Sequence, residues 1–185
     1  MPRTARRLAA FLLAGATLAS LAACAPGETA STPSPSTVET DAPIFASDEE
    51  ALAAAVAAYE LHLAMTGEIL AGTAQVEQIR EVTAPNYRDE RADELTSFVD
   101  SGLRATGDTT IDTTSLIERS DSVGETIISI YACQDVSATP SLNSAGEDIT
   151  PPDRDVRVPL VLEFRGGTSA ILLSGNQLWS GDDFC

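Results

Sequence analysis

A proton-transfer site needs an acid or base held close to a hydrogen-bonding partner in a place that water does not flood. This chain has few residues that could form one. His62 is its only histidine and Trp179 its only tryptophan. Tyr59, Tyr131 and Asp135 complete the set. Tyr131 and Asp135 are an even number of residues apart, so on a strand both side chains face the same way. A tyrosine hydroxyl converging on the Asp135 carboxylate in one pocket would make an acid–base pair. The alternative is that the aromatic rings are core and that Asp135 caps the turn after its strand. His62 lies beside Tyr59 and Leu63 at the edge of an apolar helical stripe, where a histidine more often packs than catalyses.

Other chemistries lack their residues. With one histidine and no free cysteine pair, a zinc site of the usual ligand types cannot be built. Asp182-Asp183, Glu147-Asp148 and Asp153/Asp155 do not have the oxygen-ligand spacing of a calcium loop and read as solvated surface. No serine sits in a nucleophile elbow. Gly166-Gly167 falls between two strand-like runs, which is a turn and not a phosphate-binding loop. No cofactor and no metal are expected.

The most specific signal lies near the start. Arg3, Arg6 and Arg7 precede a small, apolar run from Leu8 to Ala23. A basic head, a short apolar run and small residues at its end are the parts of a secretory signal. The run falls short of the roughly 20 residues of a spanning helix. It ends in Leu21-Ala22-Ala23-Cys24, which resembles the lipobox of bacterial lipoproteins, where the cysteine is acylated and becomes the new N-terminus. Ordinary signal cleavage at the small residues Ala23-Cys24-Ala25 is the competing reading. Lipid on Cys24 leaves Cys133 and Cys185 as one pair in an oxidising compartment, where a disulfide is expected. Closing that loop is worth about 4 kcal/mol on the chain-entropy model.

The formal charge is −17, from 11 basic and 28 acidic residues, and every basic residue is an arginine. Loss of the leader removes three arginines and no acid, leaving 8 against 28, or −20. Such a surface repels phosphate backbones, so nucleic-acid binding is excluded on charge. From Ala25 to Ser47, 12 of 23 residues are Pro, Ser or Thr, too few apolar groups to offset the entropy of ordering. The expected organisation is therefore a leader over 1–23, a lipidated Cys24 and tether over 24–47, and one domain over 48–185. The tether reaches roughly 25 Å as a coil and about 70 Å extended. Ile44 and Phe45 could dock on the edge of the domain.

The elements that must position the candidate residues follow from periodicity. Ser47 with Glu50 predicts a capped helix start, and Leu52, Val56, Tyr59, Leu63 and Leu70 form a stripe at helical spacing up to Gly72. Val76, Ile79 and Val82 predict a shorter helix ended by Pro85. Leu95, Phe98, Val99 and Leu103 predict a third, from about Tyr87 to Ala105, closed by Gly107. Thereafter the period is two. Strands are expected over Thr109–Glu118, with Ile111 and Ile117 inward, over Thr126–Asp135, and through Val156, Val158, Leu160, Leu162 and Phe164. A last strand runs from Ile171 to Trp179, and Ser137–Asp153 is a long loop. Helices first and strands after predict an α+β fold: three helices on one face of an antiparallel sheet of about four strands.

This order, a long helix, two shorter helices and a curved sheet, resembles the NTF2-like superfamily, and within it the NTF2-like lipoproteins of actinobacteria. The residues carrying the resemblance are Ala105-Thr106-Gly107, Tyr131-Ala132-Cys133-Gln134-Asp135, Ser137, Gly146 and Trp179. It implies a cone-shaped cavity, lined here by Tyr59, His62, Tyr131, Asp135 and Trp179. Enzymes of that superfamily, such as ketosteroid isomerases and dehydratases, use acids, tyrosines or histidines in the cone, while other members serve the assembly of secretion or conjugation machinery. The expected function is a membrane-anchored, non-catalytic binding or scaffold domain of the cell envelope, taking a small apolar ligand or an envelope protein. The alternative is an isomerase- or dehydratase-type enzyme working through Asp135 with Tyr59 or Tyr131.

Overall fold

The computed structural model describes residues 43–182 and 184–185. The leader, Cys24 and the tether up to residue 42 lie outside the described residues. Helix α1 spans Asp48–Ala71. The Ser47 side chain accepts from the Glu50 amide at 3.2 Å, satisfying one orphan donor of the first turn, and Glu50 Oε2 accepts from the Ala46 amide just before the cap at 2.8 Å. Gly72, at φ 80°, caps the other end.

The face that α1 buries differs from the expected stripe. Ala51, Ala55, Ala58, Tyr59, His62, Thr66 and Ile69 are the buried residues, while Leu52, Val56 and Leu63 pack from the flanks. Alanines let the helix axis approach the sheet closely, and the larger side chains straddle the contact. Phe45, just before the helix, also packs against this core.

A 3-10 helix covers Val76–Glu81 and buries Ile79 alone. Residues 82–87 then run beside the last strand. The Ala84 amide donates to Leu173 O at 2.8 Å, and Asn86 Nδ2 donates to Ser174 O at 3.0 Å. This segment covers part of a sheet edge that would otherwise be open to pairing. Helix α2, Arg88–Asp100, is shorter than expected. Gly102 takes a left-handed φ of 79°, and the chain leaves the helix as strand β1, Arg104–Ala105, which pairs with β4, Ser141–Leu142. The predicted loop therefore contains a strand. Gly107 does not close a helix. At φ 83° it lies against Ala138, whose carbonyl oxygen any Cβ would strike.

The main sheet has the order β2-β3-β5-β6, all antiparallel, from β2 (Thr110–Ser122), β3 (Glu125–Asp135), β5 (Arg157–Gly166) and β6 (Ile171–Leu178). The molecule is thus α+β, with three helices, a four-stranded antiparallel sheet and a two-stranded one. Ile128, Ile130, Ala132, Leu160, Leu162, Phe164 and Leu173 face the helices. Burying each of the larger ones stabilises the fold by roughly 2 kcal/mol. β2 departs from its expected pattern through two register shifts, between Asp112 and Ser115 and between Leu116 and Glu118. Each inserts one residue and reverses which side chains face inward. Leu116 consequently packs on the core, and Ile117, expected inward, is 41% exposed. Thr113, in the first shift, has a φ of 50°.

Candidate functional site

Between α1, α2, β1 and the inner face of the sheet lies a cavity of about 310 Å³. Tyr59 and His62 reach it from α1, Arg91 and Phe98 from α2, Gln134 from the end of β3, Asn176 from β6, and Arg154 from the segment before β5. Helical spacing places Tyr59 and His62 on one side of α1 with their rings nearly parallel, 6° apart, and centroids at 5.9 Å.

Tyr59 is 1% exposed, and its ring meets Phe164 edge-on at 6.4 Å. The hydroxyl donates to Gln134 Oε1 at 2.8 Å and accepts from Asn176 Nδ2 at 3.4 Å. Burial pushes its pKa far up, opposed by the Arg91 charge. His62, also 1% exposed, accepts a hydrogen bond at Nε2 from Arg91 Nε, at 3.2 Å. An imidazole that accepts from a guanidinium is neutral and carries its proton on Nδ1. Nδ1 makes no hydrogen bond of good geometry, although the Val82 carbonyl pulls weakly toward protonation. Burial first, and the Arg91 charge second, bring the His62 pKa down to about 3. Arg91 also bonds Glu94 Oε2 at 2.7 Å and contacts Thr66 Oγ1 at 3.5 Å.

The other three candidates are elsewhere. On β3 the core side chains are Thr126, Ile128, Ile130 and Ala132, so Tyr131 and Asp135 project from the opposite face. They do share a face, but not with Tyr59 or His62. Tyr131 meets Trp179 at 5.0 Å and Phe184 at 5.4 Å, both edge-on. Trp179 follows β6, with its amide bonded to Pro159 O at 2.9 Å and its indole N–H donating to Asp182 O at 2.9 Å.

Asp135 accepts from the Ser137 amide at 2.8 Å and pairs with Arg157 at 3.3 Å. The Ser137 hydrogen bonds first, and Arg157 after them, hold its carboxyl below the usual range. It therefore caps the turn after its strand and does not line the cavity. Arg157 also binds Asp112 at 2.6 Å and reaches Cys185 O at 3.4 Å. Cys133 and Cys185 stand at disulfide-compatible geometry, with Cα atoms 5.4 Å apart. The five expected cavity residues thus divide into an inner pair and an outer three.

The sequence reading passed over Arg91, Gln134, Arg154 and Asn176. For Gln134 a signal existed, since its parity is that of Ile128 and Ile130. No feature of the sequence marks Arg154. Among the described residues, no three His, Cys, Asp or Glu side chains come together to hold a metal, and no helix is long and apolar enough to cross a membrane.

No family model matches the chain, and no curated protein does. Among solved structures, the intermembrane space region of the chloroplast protein ARC6 is similar at a TM-score of 0.43 and 13% identity, covering 68% of this chain and 97% of that one. A protein from Catenulispora acidiphila is similar at 0.42 and 13%, covering 70% and 93%. A SEC-C motif containing protein from Rhodopseudomonas palustris gives 0.26 and 12%, covering 63% and 91%. Likenesses of this strength carry no functional information.

Proposed function

We propose that this chain is an extracytoplasmic lipoprotein, held at the cell membrane by acyl groups on Cys24. Its folded part is then a non-catalytic binding domain of NTF2-like arrangement. The observation that carries the non-catalytic reading is the state of the two titratable side chains placed deepest in the cavity. His62 is neutral, has a pKa of about 3 and has its one acceptor nitrogen occupied by Arg91. A base that weak takes little part in proton transfer near neutral pH. The Tyr59 hydroxyl already donates to Gln134 and has its pKa raised, so it is a poor acid. Proton chemistry of the isomerase or dehydratase type would need a carboxylate beside them, and Asp135 is on the other side of the sheet. What remains is a concave, mostly prebuilt hollow with convergent polar groups, which suits binding.

The anchor rests on Leu21-Ala22-Ala23-Cys24, the basic head before it and the tether after it. Two experiments test the two halves. Cys24→Ser should move the protein from the membrane fraction to the medium, or leave its leader uncleaved; unchanged fractionation together with unchanged acyl labelling refutes the anchor. Native mass spectrometry of the protein purified from its own host should find a small molecule or an envelope protein retained on it. Turnover of an isomerase or dehydratase substrate that is lost in Tyr59→Phe would refute the non-catalytic reading.

A further inference from the structure

The cavity differs in charge from the molecule around it. The chain has 28 acidic residues against 11 basic ones, yet the cavity lining includes Arg91 and Arg154 and no Asp or Glu. Arg91 is neutralised by Glu94. Arg154 is not: among the described residues no carboxylate lies within ion-pair distance of it. Nη1 donates to Thr139 O at 3.0 Å and Nη2 to Val136 O at 2.8 Å, and Nε is buried without a partner. Asp148 feels the Arg154 charge only as the last of the influences that lower its pKa, and bonds Thr150 instead.

A guanidinium has five N–H donors in a planar fork. Two carbonyls fix the orientation of this one and leave donors over. Leaving a partly buried cation without an anion is costly, and an arriving carboxylate recovers that cost through charge-assisted hydrogen bonds. Beside the arginines the lining turns apolar at Leu63, Leu70, Phe98 and Val136.

Resting on the binding reading above, we infer that the cavity takes a small monocarboxylate with a short apolar body, its anion set on Arg154 and its carbon chain against Leu63, Leu70 and Phe98. The single uncompensated charge favours a monoanion over a phosphate dianion. A volume of about 310 Å³ limits the ligand to medium chain length.

The test uses the chain from residue 24 onward carrying Cys24→Ser, without leader or lipid so that no detergent competes, and measures calorimetric affinity for octanoate, 1-octanol, octylamine and inorganic phosphate. Octanoate should bind about tenfold or more tightly than 1-octanol, the difference a charged hydrogen-bonding partner makes. Octylamine and phosphate should not bind. Arg154→Gln should bring octanoate down to the level of 1-octanol.

Arg154 also ties two loop carbonyls, so a second variant covers the chance that its loss unfolds the loop. Gly67 lines the cavity, and a Cβ there meets nothing within 4 Å. Gly67→Phe should fill the space and abolish binding of both octanoate and 1-octanol. Equal affinity for octanoate and 1-octanol, tighter binding of phosphate, octanoate binding that survives Gly67→Phe, or no binding of octanoate at all would each overturn the carboxylate inference. A molecule or protein retained in native mass spectrometry would still sustain the broader binding reading.

Discussion

The two faces of β3 are built for different ends from the same eleven-residue strand. Its inner face ends in Gln134, whose amide oxygen accepts from the Tyr59 hydroxyl, which in turn accepts from Asn176, in a hollow lined with polar groups. Its outer face holds Tyr131, Cys133 and Asp135, and each of these fastens the carboxyl-terminal tail or its neighbours. Tyr131 packs on Trp179 and Phe184, Cys133 faces Cys185, and Asp135 shares Arg157 with Asp112. The inner face lines a polar hollow, and the outer face seats the tail. Aromatic and acidic residues are therefore poor guides to function on their own here, because the tail and its neighbours take up three of the five candidates, Tyr131, Asp135 and Trp179.

The sharpest way to break that contrast is to cut the outer clasp. Reduction, or Cys133→Ala with Cys185→Ala, should cost about 4 kcal/mol of stability, or roughly 12 °C in melting temperature for a domain of this size. Trp179 is the only tryptophan and belongs to the outer face, so its fluorescence should change on reduction and stay unchanged when the inner cavity is occupied. A tryptophan signal that follows ligand and ignores reductant would mean that the two faces are not independent.

The next effect belongs to the inner face. The folded pKa of His62 is about 3, below its unfolded value of about 6.5. The unfolded chain therefore takes up this proton first. The associated stability is intact above about pH 6.5 and is lost as pH falls from there toward the folded pKa, at up to about 1.4 kcal/mol per unit. Asp112, Asp135 and Asp148, whose pKa values are lowered, act in the same direction, but only below their unfolded range near about pH 4. The interval between belongs to His62. Denaturation midpoints across it should slope in the native chain and flatten in His62→Gln. An unchanged slope in the variant would place the imidazole in water.

How much of this could be read from the residues depended on whether the period stayed regular. The helix start at Ser47 and Glu50, the α+β order and the four-strand antiparallel sheet follow from local chemistry that nothing overrides. β2 does not follow its period, because two inserted residues reverse its faces, and neither Asp112-Thr113 nor Ile117 carries a glycine or proline to announce them. α2 stops early because Gly102 takes the left-handed turn that ends it, a local sign, and Arg104 and Ala105 then gain strand partners in Ser141 and Leu142, a distant pairing.

The division of the candidate site was more legible than it looked. Ile128 and Ile130 set the inward parity of β3, which assigns Gln134 to the cavity and sends Tyr131 and Asp135 outward. Tyr131 and Asp135 were rightly placed on a common face; the two core isoleucines between them determine which face that is. Arg154 stayed hidden because its place depends on loop carbonyls of Val136 and Thr139, and these leave no trace in a pattern of polar residues.

The smallest of these tests compares the two tyrosines through one atom each. Removing the hydroxyl of the buried Tyr59 strips half-buried Gln134 Oε1 of its donor and Asn176 Nδ2 of an acceptor. Leaving buried partners unmade costs roughly 1–3 kcal/mol, so Tyr59→Phe should lower stability by an amount in that range. Tyr131 is half-buried, and its contacts with Trp179 and Phe184 run through ring edges that phenylalanine keeps. Tyr131→Phe should therefore stay within about 0.5 kcal/mol of the native chain, as substitutions away from buried polar partners do. Urea titration of the two variants side by side measures the difference. Equal costs would mean that the outer face hides a hydrogen-bonded tyrosine of its own, or that water reaches Gln134. Either result would undo the assignment of polar function to the inner face of β3 and closure to the outer one.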